Sequence, residues 1–128
     1  MINNLYILLP EIFLTLSIFS ILMVGVFIKN SFNLIFNLTS LIILLTIAII
    51  LNSSNNVEKI FLGSFTRDAF SNFFKILILV SSLFVLNSSK NFILDNKLAK
   101  FEYPIIILLS ILGMFFMVSS NDIILFYL

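Results

Sequence analysis

Two ionisable side chains, Glu11 and Lys75, lie within long apolar runs. Charged groups are costly inside a membrane, and those found there commonly pair with one another or carry protons. Each lies six residues after the start of its run, at Leu5 and Ala69. The two runs cross in the same direction, so both groups lie roughly 8–10 Å inside the same membrane face. We predict an intramembrane ion pair or proton-path group. The alternatives are that Glu11 reaches interfacial water and that Lys75 extends to the surface.

A second set of polar residues follows one stripe of the second apolar run, at spacings of four, four and three: Lys29, Asn33, Asn37 and Ser40. We expect this stripe to face protein or a hydrated cavity, because lipid offers it no partner. Interhelical hydrogen bonding is favoured over an ion path. Ser110 and Gly113 are small residues on neighbouring positions of the last long run, and they are predicted to allow close helix contact.

Other chemistry is restricted by composition. The chain has no cysteine and no histidine, which removes thiol catalysis, disulfides and imidazole metal sites. It contains no phosphate-binding loop and no nucleophile with a base, so we predict no catalytic residue, no metal site and no self-contained enzyme. A net charge of +1 without a basic cluster also argues against nucleic-acid binding.

The elements that position these residues are membrane spans. Of 128 residues, 61% are hydrophobic and 10% are charged, whereas soluble domains carry about 25% charged residues. We predict an all-α integral membrane protein with a single membrane domain, 1–128, and spans at 5–28, 31–51, 69–86 and 103–120. A partial segment, 122–128, is expected to begin a fifth span. A signal peptide is the alternative for the first run, but that run is too long and its flank, Met1–Asn4, is uncharged.

The segments between the spans predict caps and orientation. Asp68 and Asp122 stand where helix N-caps are expected. The loop at 52–68 contains a mildly amphipathic stretch around residues 60–62, expected in the membrane interface, and the loop at 87–102 is expected to be aqueous. Four lysines lie on one side of the membrane (Lys29, Lys90, Lys97 and Lys100), against Lys59 and Arg67 on the other. The positive-inside rule then places the N-terminus outside.

The order of these segments resembles NADH dehydrogenase subunit 2, an antiporter-like membrane component of respiratory complex I. The resemblance rests on four stretches: Leu8-Leu9-Pro10-Glu11-Ile12-Phe13-Leu14, Asp68-Ala69-Phe70 with Phe73-Phe74-Lys75, Glu102-Tyr103-Pro104 through Gly113-Met114-Phe115-Phe116-Met117, and Ser119-Ser120-Asn121-Asp122-Ile123-Ile124-Leu125-Phe126-Tyr127-Leu128. It covers the whole chain but only the N-terminal part of a usual family member. In the family, a membrane glutamate of the fifth helix and a lysine of a later helix follow, and both would lie beyond Leu128.

The resemblance implies one piece of a split or shortened subunit in a complex that couples NADH oxidation by ubiquinone to proton pumping. It implies as partners the lipid bilayer, other complex I membrane subunits and a second chain that completes the subunit. FMN, iron–sulfur clusters and ubiquinone are implied elsewhere in the complex, with no cofactor on this chain. The chain is rich in asparagine, isoleucine and phenylalanine, with 16 Phe and no Trp, a composition that AT-rich codons produce and that is common in very hydrophobic organelle-encoded proteins. With this organelle-like composition, the resemblance implies the mitochondrial inner membrane, with the N-terminus in the intermembrane space. The alternatives are a structural assembly subunit without proton transfer and a fragment of a stand-alone cation/proton antiporter.

Overall fold

The computed structural model describes residues 2–28, 32–53, 58–63, 65–96 and 101–120. A short helix, α1 (Ile2–Ile7), precedes four long ones: α2 (Leu9–Phe27), α3 (Phe32–Leu51), α4 (Ala69–Asp95) and α5 (Glu102–Ser119). Each of the four long helices is long and apolar enough to cross a membrane. The predicted all-α membrane fold is confirmed, with one small β-hairpin added to it.

The four long helices pack around a shared apolar core. Helix α2 lies against α3 and α5, and α4 lies against α5 and α3. The fully buried side chains come from one face of each helix: Leu14, Ile35, Ile43, Leu79, Leu86, Leu108, Ile111 and Phe115. In each span 33% of the most apolar stretch is buried, so most of each helix surface is available to lipid or to other protein.

The first predicted span, 5–28, is broken in the structure. Helix α1 ends at Ile7, Leu8 forms a turn, and α2 begins at Leu9. The break follows from Pro10, which has no amide hydrogen and cannot donate to the carbonyl of Tyr6 one turn earlier. That carbonyl instead accepts a hydrogen bond from Arg67 Nη1 at 3.2 Å. The predicted span included this interruption because the apolar run continues on both sides of it, although Pro10 is a sequence signal for a break.

Helix α4 is longer than predicted. The predicted span ends at 86 and is followed by an aqueous loop at 87–102, but the helix continues to Asp95. Its 27 residues extend about 40 Å, beyond a hydrocarbon core of about 30 Å. The last turns are held by contacts that composition does not reveal, because Ile93 is buried and Lys90 Nζ lies 5.2 Å from the Phe36 ring centroid.

The loop before α4, predicted to contain a mildly amphipathic stretch around residues 60–62, contains an antiparallel hairpin. Strand β1 (Glu58–Ile60) pairs with β2 (Phe65–Arg67), with Glu58 opposite Arg67. A 3₁₀ turn, Phe61–Gly63, joins them, and positive φ values of 58° at Leu62 and 87° at Gly63 reverse the chain. Leu62 is fully exposed at the tip.

The remaining boundaries lie close to their predictions. Helix α5 begins one residue before the predicted 103 and ends one before the predicted 120. The predicted partial span, 122–128, lies outside the described residues, as do Lys29 and Asp122.

Candidate functional site

The centre of the candidate site is an ion pair between two spans. Lys75 Nζ of α4 lies 2.5 Å from Glu11 Oε1 of α2, and the two side chains are 1% and 2% exposed. The structure therefore places next to each other the two residues that were predicted to pair from their equal depth in the membrane. Because each charge neutralises the other, the helices bury both without a net charge.

Glu11 is placed by the start of α2. It is acidic, lies in the first turn of that helix and directly follows Pro10. The first turn of a helix has amide groups without intrahelical acceptors, and its dipole favours a negative charge. The carboxylate is thus stabilised by its own helix as well as by Lys75. It lies closer to its helix start than the predicted unbroken span implied.

Lys75 links α4 to a third helix. Its side chain lies on the buried face of α4, and its ammonium group is 5.5 Å from the centroid of the Phe115 ring of α5. A lysine at this distance is attracted to the face of an aromatic ring. The ion pair is therefore enclosed by α2, α4 and α5.

Further buried polar side chains adjoin the pair, and we call the set of five the polar layer: Glu11, Ser71, Asn72, Lys75 and Ser119. Ser71 and Asn72 precede Lys75 by four and three residues, so all three share one face of α4. Ser119 follows Phe115 by four residues on the buried face of α5. The polar layer lies at the end of the bundle where α2 and α4 begin and α5 ends.

Arg67 adjoins this end of the bundle. Its side chain is 5% exposed, and it donates to the Tyr6 carbonyl of α1. The arginine ties the hairpin to the broken N-terminal helix, which fixes the position of α1 beside the start of α4. A buried guanidinium also adds positive potential at the end of the bundle that contains the polar layer.

This arrangement places two groups that can each bind or release a proton, a carboxylate and an amine, within hydrogen-bond distance of each other inside the bundle. Within the described ranges, no group of three or more His, Cys, Asp or Glu residues could hold a metal ion. The predicted absence of catalytic residues and metal ligands stays a prediction for the chain as a whole.

The polar stripe on α3 does not face this chain's bundle. Asn33 and Asn37 are exposed, and the Ser40 hydroxyl donates to the Asn37 carbonyl at 2.8 Å. The buried face of α3 instead carries Thr39 and Thr46, whose hydroxyls donate to carbonyls of their own helix. Within the described helices the apolar face of α3 takes the inner position, so the expectation that the stripe faces protein or a hydrated cavity stays a prediction.

Close helix contact occurs at a different glycine from the one predicted. Ser110 is exposed, and a Cβ atom added at Gly113 would meet nothing within 4 Å. A Cβ atom at Gly25 would lie 2.4 Å from Cδ2 of Phe101 and 2.9 Å from Cδ1 of Ile35. Gly25 is therefore the small residue that lets α2 approach its neighbours.

The predicted cap at the start of α4 is present. The Asp68 carboxylate accepts a hydrogen bond from the Ser71 amide at 2.8 Å, and Asp68 has extended backbone angles. This bond fixes where α4 begins and thus the height of Lys75 along it.

Four residues near the site were missed from the sequence: Ser71, Asn72, Ser119 and Arg67. Ser71 and Asn72 could have been found from their spacing to Lys75, since residues three and four apart share a helix face. Ser119 and Arg67 carry no such signal, because each lies near a segment end where polar residues are ordinary. Their burial follows only from how the helices pack.

The comparisons with known proteins give the candidate site its context. No family model matches the chain. NADH-quinone oxidoreductase subunit N of Pelagibacter ubique is 41% identical over 128 residues, which cover 98% of this chain and 27% of that protein. The chain is similar to subunit N.

Subunit N of Paramagnetospirillum magneticum and of Parvibaculum lavamentivorans are 37% and 36% identical, each over 94% of this chain and 25% of the relative. The chain thus spans about a quarter of the length of the curated relatives that it matches. Subunit N is the bacterial counterpart of the subunit 2 that the motifs resemble. All three of these relatives are bacterial.

Proposed function

We propose that this chain is part of the membrane arm of a proton-translocating NADH:quinone oxidoreductase. Its helices would form part of an antiporter-like unit, and a further polypeptide would supply the rest of that unit. The observation that carries the proposal is similarity to subunit N along nearly the whole chain. The buried Glu11–Lys75 pair supports it, because ionisable groups retained inside a membrane are commonly part of an ion pathway.

The proposed partners are the lipid bilayer, other membrane subunits of the complex and a second chain that supplies the rest of the subunit. Support for a protein partner beside α3 comes from the exposed Asn33 and Asn37, because amides on a spanning helix are stabilised by protein contacts rather than by lipid. No nucleic-acid partner is proposed.

The proposed complex holds FMN, iron–sulfur clusters and ubiquinone on other subunits. This chain has no cysteine and no histidine, and these side chains are the usual ligands of iron–sulfur clusters. The part proposed for this chain is therefore in proton movement and not in electron transfer.

The proposed location is an energy-coupling membrane with the N-terminus on its positive side. The organelle-like composition favours the mitochondrial inner membrane, with the N-terminus in the intermembrane space. The bacterial relatives make a bacterial cytoplasmic membrane the second candidate. Fractionation of the source cells followed by detection of the chain distinguishes the two.

Purification in mild detergent through a tag on this chain tests membership of the complex. We expect an NADH-oxidising assembly that contains flavin and iron–sulfur subunits, together with a polypeptide similar to the part of subunit N that this sequence does not match. Recovery with transport proteins and without flavin would instead support a fragment of a stand-alone cation/proton antiporter. Recovery of the chain by itself would contradict both.

Neutralisation of the ion pair tests the proposed part in proton movement. Glu11→Gln and Lys75→Met are expected to lower the number of protons pumped per NADH oxidised in membrane vesicles. This ratio is measured on the complex that assembles, so a loss of assembled complex on native gels does not change it. Lys90→Met is the matched control, because it removes a lysine from the same helix at the other end of the bundle.

A structural subunit without proton transfer is the second candidate, favoured by the tight enclosure of the pair among three helices. On that hypothesis the same two substitutions reduce the amount of assembled complex and leave the pumping ratio of the remaining complex unchanged.

A further inference from the structure

The polar layer contains more hydrogen-bonding capacity than its protein contacts use. Within the described part of the chain, four buried side-chain atoms have no hydrogen-bond partner: Glu11 Oε2, Ser71 Oγ, Asn72 Nδ2 and Ser119 Oγ. All four belong to the polar layer. Burying such atoms without partners is costly, so their concentration at one place requires an explanation.

Hydroxyl groups elsewhere in the bundle show the usual solution. The buried hydroxyls of Thr39, Thr46 and Ser82 each donate to a carbonyl three residues earlier in their own helix, at 2.7 Å. The hydroxyls of Ser71 and Ser119 are buried to a similar extent but lack this bond. They are therefore available to a group outside their own helices.

The unpartnered atoms on α4 and α5 lie at one height in the bundle. Lys75 and Phe115 are in contact, and Lys75 is near the start of α4 whereas Phe115 is near the end of α5, so the two helices are antiparallel. One turn from Lys75 towards the helix start leads to Ser71 and Asn72. One turn from Phe115 towards the helix end leads to Ser119. Each step is about 5–6 Å in the same direction.

We infer that the polar layer binds ordered water between α2, α4 and α5. Asn72 Nδ2 only donates, the ionised Glu11 Oε2 only accepts, and the two hydroxyls can do either. A water molecule accepts from Asn72 and donates to Glu11, which matches this set, and buried water typically makes about three such bonds. A metal cation fits less well, because Lys75 already supplies a positive charge and the Asn72 amide presents a donor.

The bound water changes the surroundings of the ion pair. Glu11 then has Lys75 on one oxygen and water on the other, and the water lies on the side of the pair that faces Arg67 and the end of the bundle. It is the group with which the carboxylate can exchange a proton without separating from Lys75. This inference stands on the local geometry and does not depend on which complex the chain belongs to.

The sign of a stability change tests the inference in the purified membrane assembly. Ser119→Ala removes a water ligand, so we expect the unfolding equilibrium constant to rise about fivefold, as for the loss of one hydrogen bond. If the polar layer were dry, the same substitution would remove an unsatisfied polar atom and leave the constant unchanged or lower it. Ser110→Ala is the matched control on α5, since that hydroxyl is exposed and donates to its own helix.

A second measurement avoids any effect of substitution on folding. A cryo-electron microscopy map of the assembly, at a resolution that shows ordered water, is expected to contain density within about 3 Å of both Glu11 Oε2 and Asn72 Nδ2. Direct pairing among the side chains of the polar layer would overturn the inference, and so would a side chain of another polypeptide in the same place.

Discussion

At the level of single residues, the Glu11–Lys75 pair combines a high energetic cost with a specific geometry. Both groups are almost fully buried, so each depends on the other for its stability. Buried pairs of this kind contribute little net stability relative to apolar residues of similar volume. Removal of only one partner is nevertheless expensive, because the remaining charge is uncompensated.

A double-substitution experiment follows from this asymmetry. Lys75→Met is expected to lower the free energy of unfolding of the assembled protein by about 3–5 kcal/mol. Glu11→Leu is expected to cost less, because Lys75 keeps its contact with the Phe115 ring. The double variant, Glu11→Leu with Lys75→Met, is expected to recover most of that loss. Thermal or denaturant unfolding of the three variants measures the coupling. Single losses below about 1 kcal/mol, in the range of surface pairs, would contradict the buried pair.

The pair could be predicted from the sequence because a charge in an apolar run is rare and its depth can be counted. Ser71 and Asn72 could have been added to it, because they share a helix face with Lys75. Ser119 could not, because serine is ordinary in spanning helices and whether it turns inward depends on which helices are neighbours. A single sequence gives the position along each helix and leaves rotation about its axis to packing.

At the level of elements, the start of each helix sets the height of the site. Helix α2 begins after the break at Leu8 and α4 begins at the Asp68 cap. A shift in either start would separate Glu11 from Lys75.

The Asp68 cap can be tested by substitution. Asp68→Ala is expected to lower the free energy of unfolding by about 1 kcal/mol, because the Ser71 amide loses its acceptor. Asp68→Asn retains a cap oxygen and is expected to preserve most of the stability. Unfolding of both variants checks this, and equal losses would show that the charge of Asp68, rather than its cap bond, is what matters.

The two helical glycines provide a matched test of helix packing. Gly25→Ala is expected to destabilise the bundle by about 1–3 kcal/mol through overpacking against Phe101 and Ile35, partly offset by the better helix propensity of alanine. Gly113→Ala meets no neighbour in this chain and is expected to gain about 0.5–1 kcal/mol from propensity. Unfolding midpoints of the two variants give the comparison, and a larger loss at Gly113 would place a close contact there from another polypeptide.

At the level of the whole molecule, the number of spans can be predicted from the sequence, but which face of each span packs inside the bundle cannot. Apolar run length reports how far a helix can cross, which is why the four spans were found. For the stripe that contains Asn33 and Asn37, run length does not predict whether that face of α3 is buried. Periodicity correctly places its residues on one helix face, but that face lies outside the four-helix bundle because the neighbouring apolar face of α3 packs better within it.

The two ends of the bundle differ in charge, which allows orientation to be tested. Arg67 and the hairpin lie beside α1, whereas Lys90 lies beside Phe36 near the start of α3, at the opposite end. The end with more lysines is expected on the inner side of the membrane. Because the chain has no cysteine, single cysteines can be introduced without removing any from this chain.

Labelling with a membrane-impermeant thiol reagent then reads the orientation in sealed vesicles. Both Lys59 and Asn91 are exposed, so Lys59→Cys is expected to react only from the outer side and Asn91→Cys only from the inner side. Leu77→Cys, within α4 and exposed on its outer face, is expected to react from neither. The reverse pattern for the first two positions would place the N-terminus inside. It would also move the polar layer to the inner half of the membrane, so that the water inferred there would face the inner compartment.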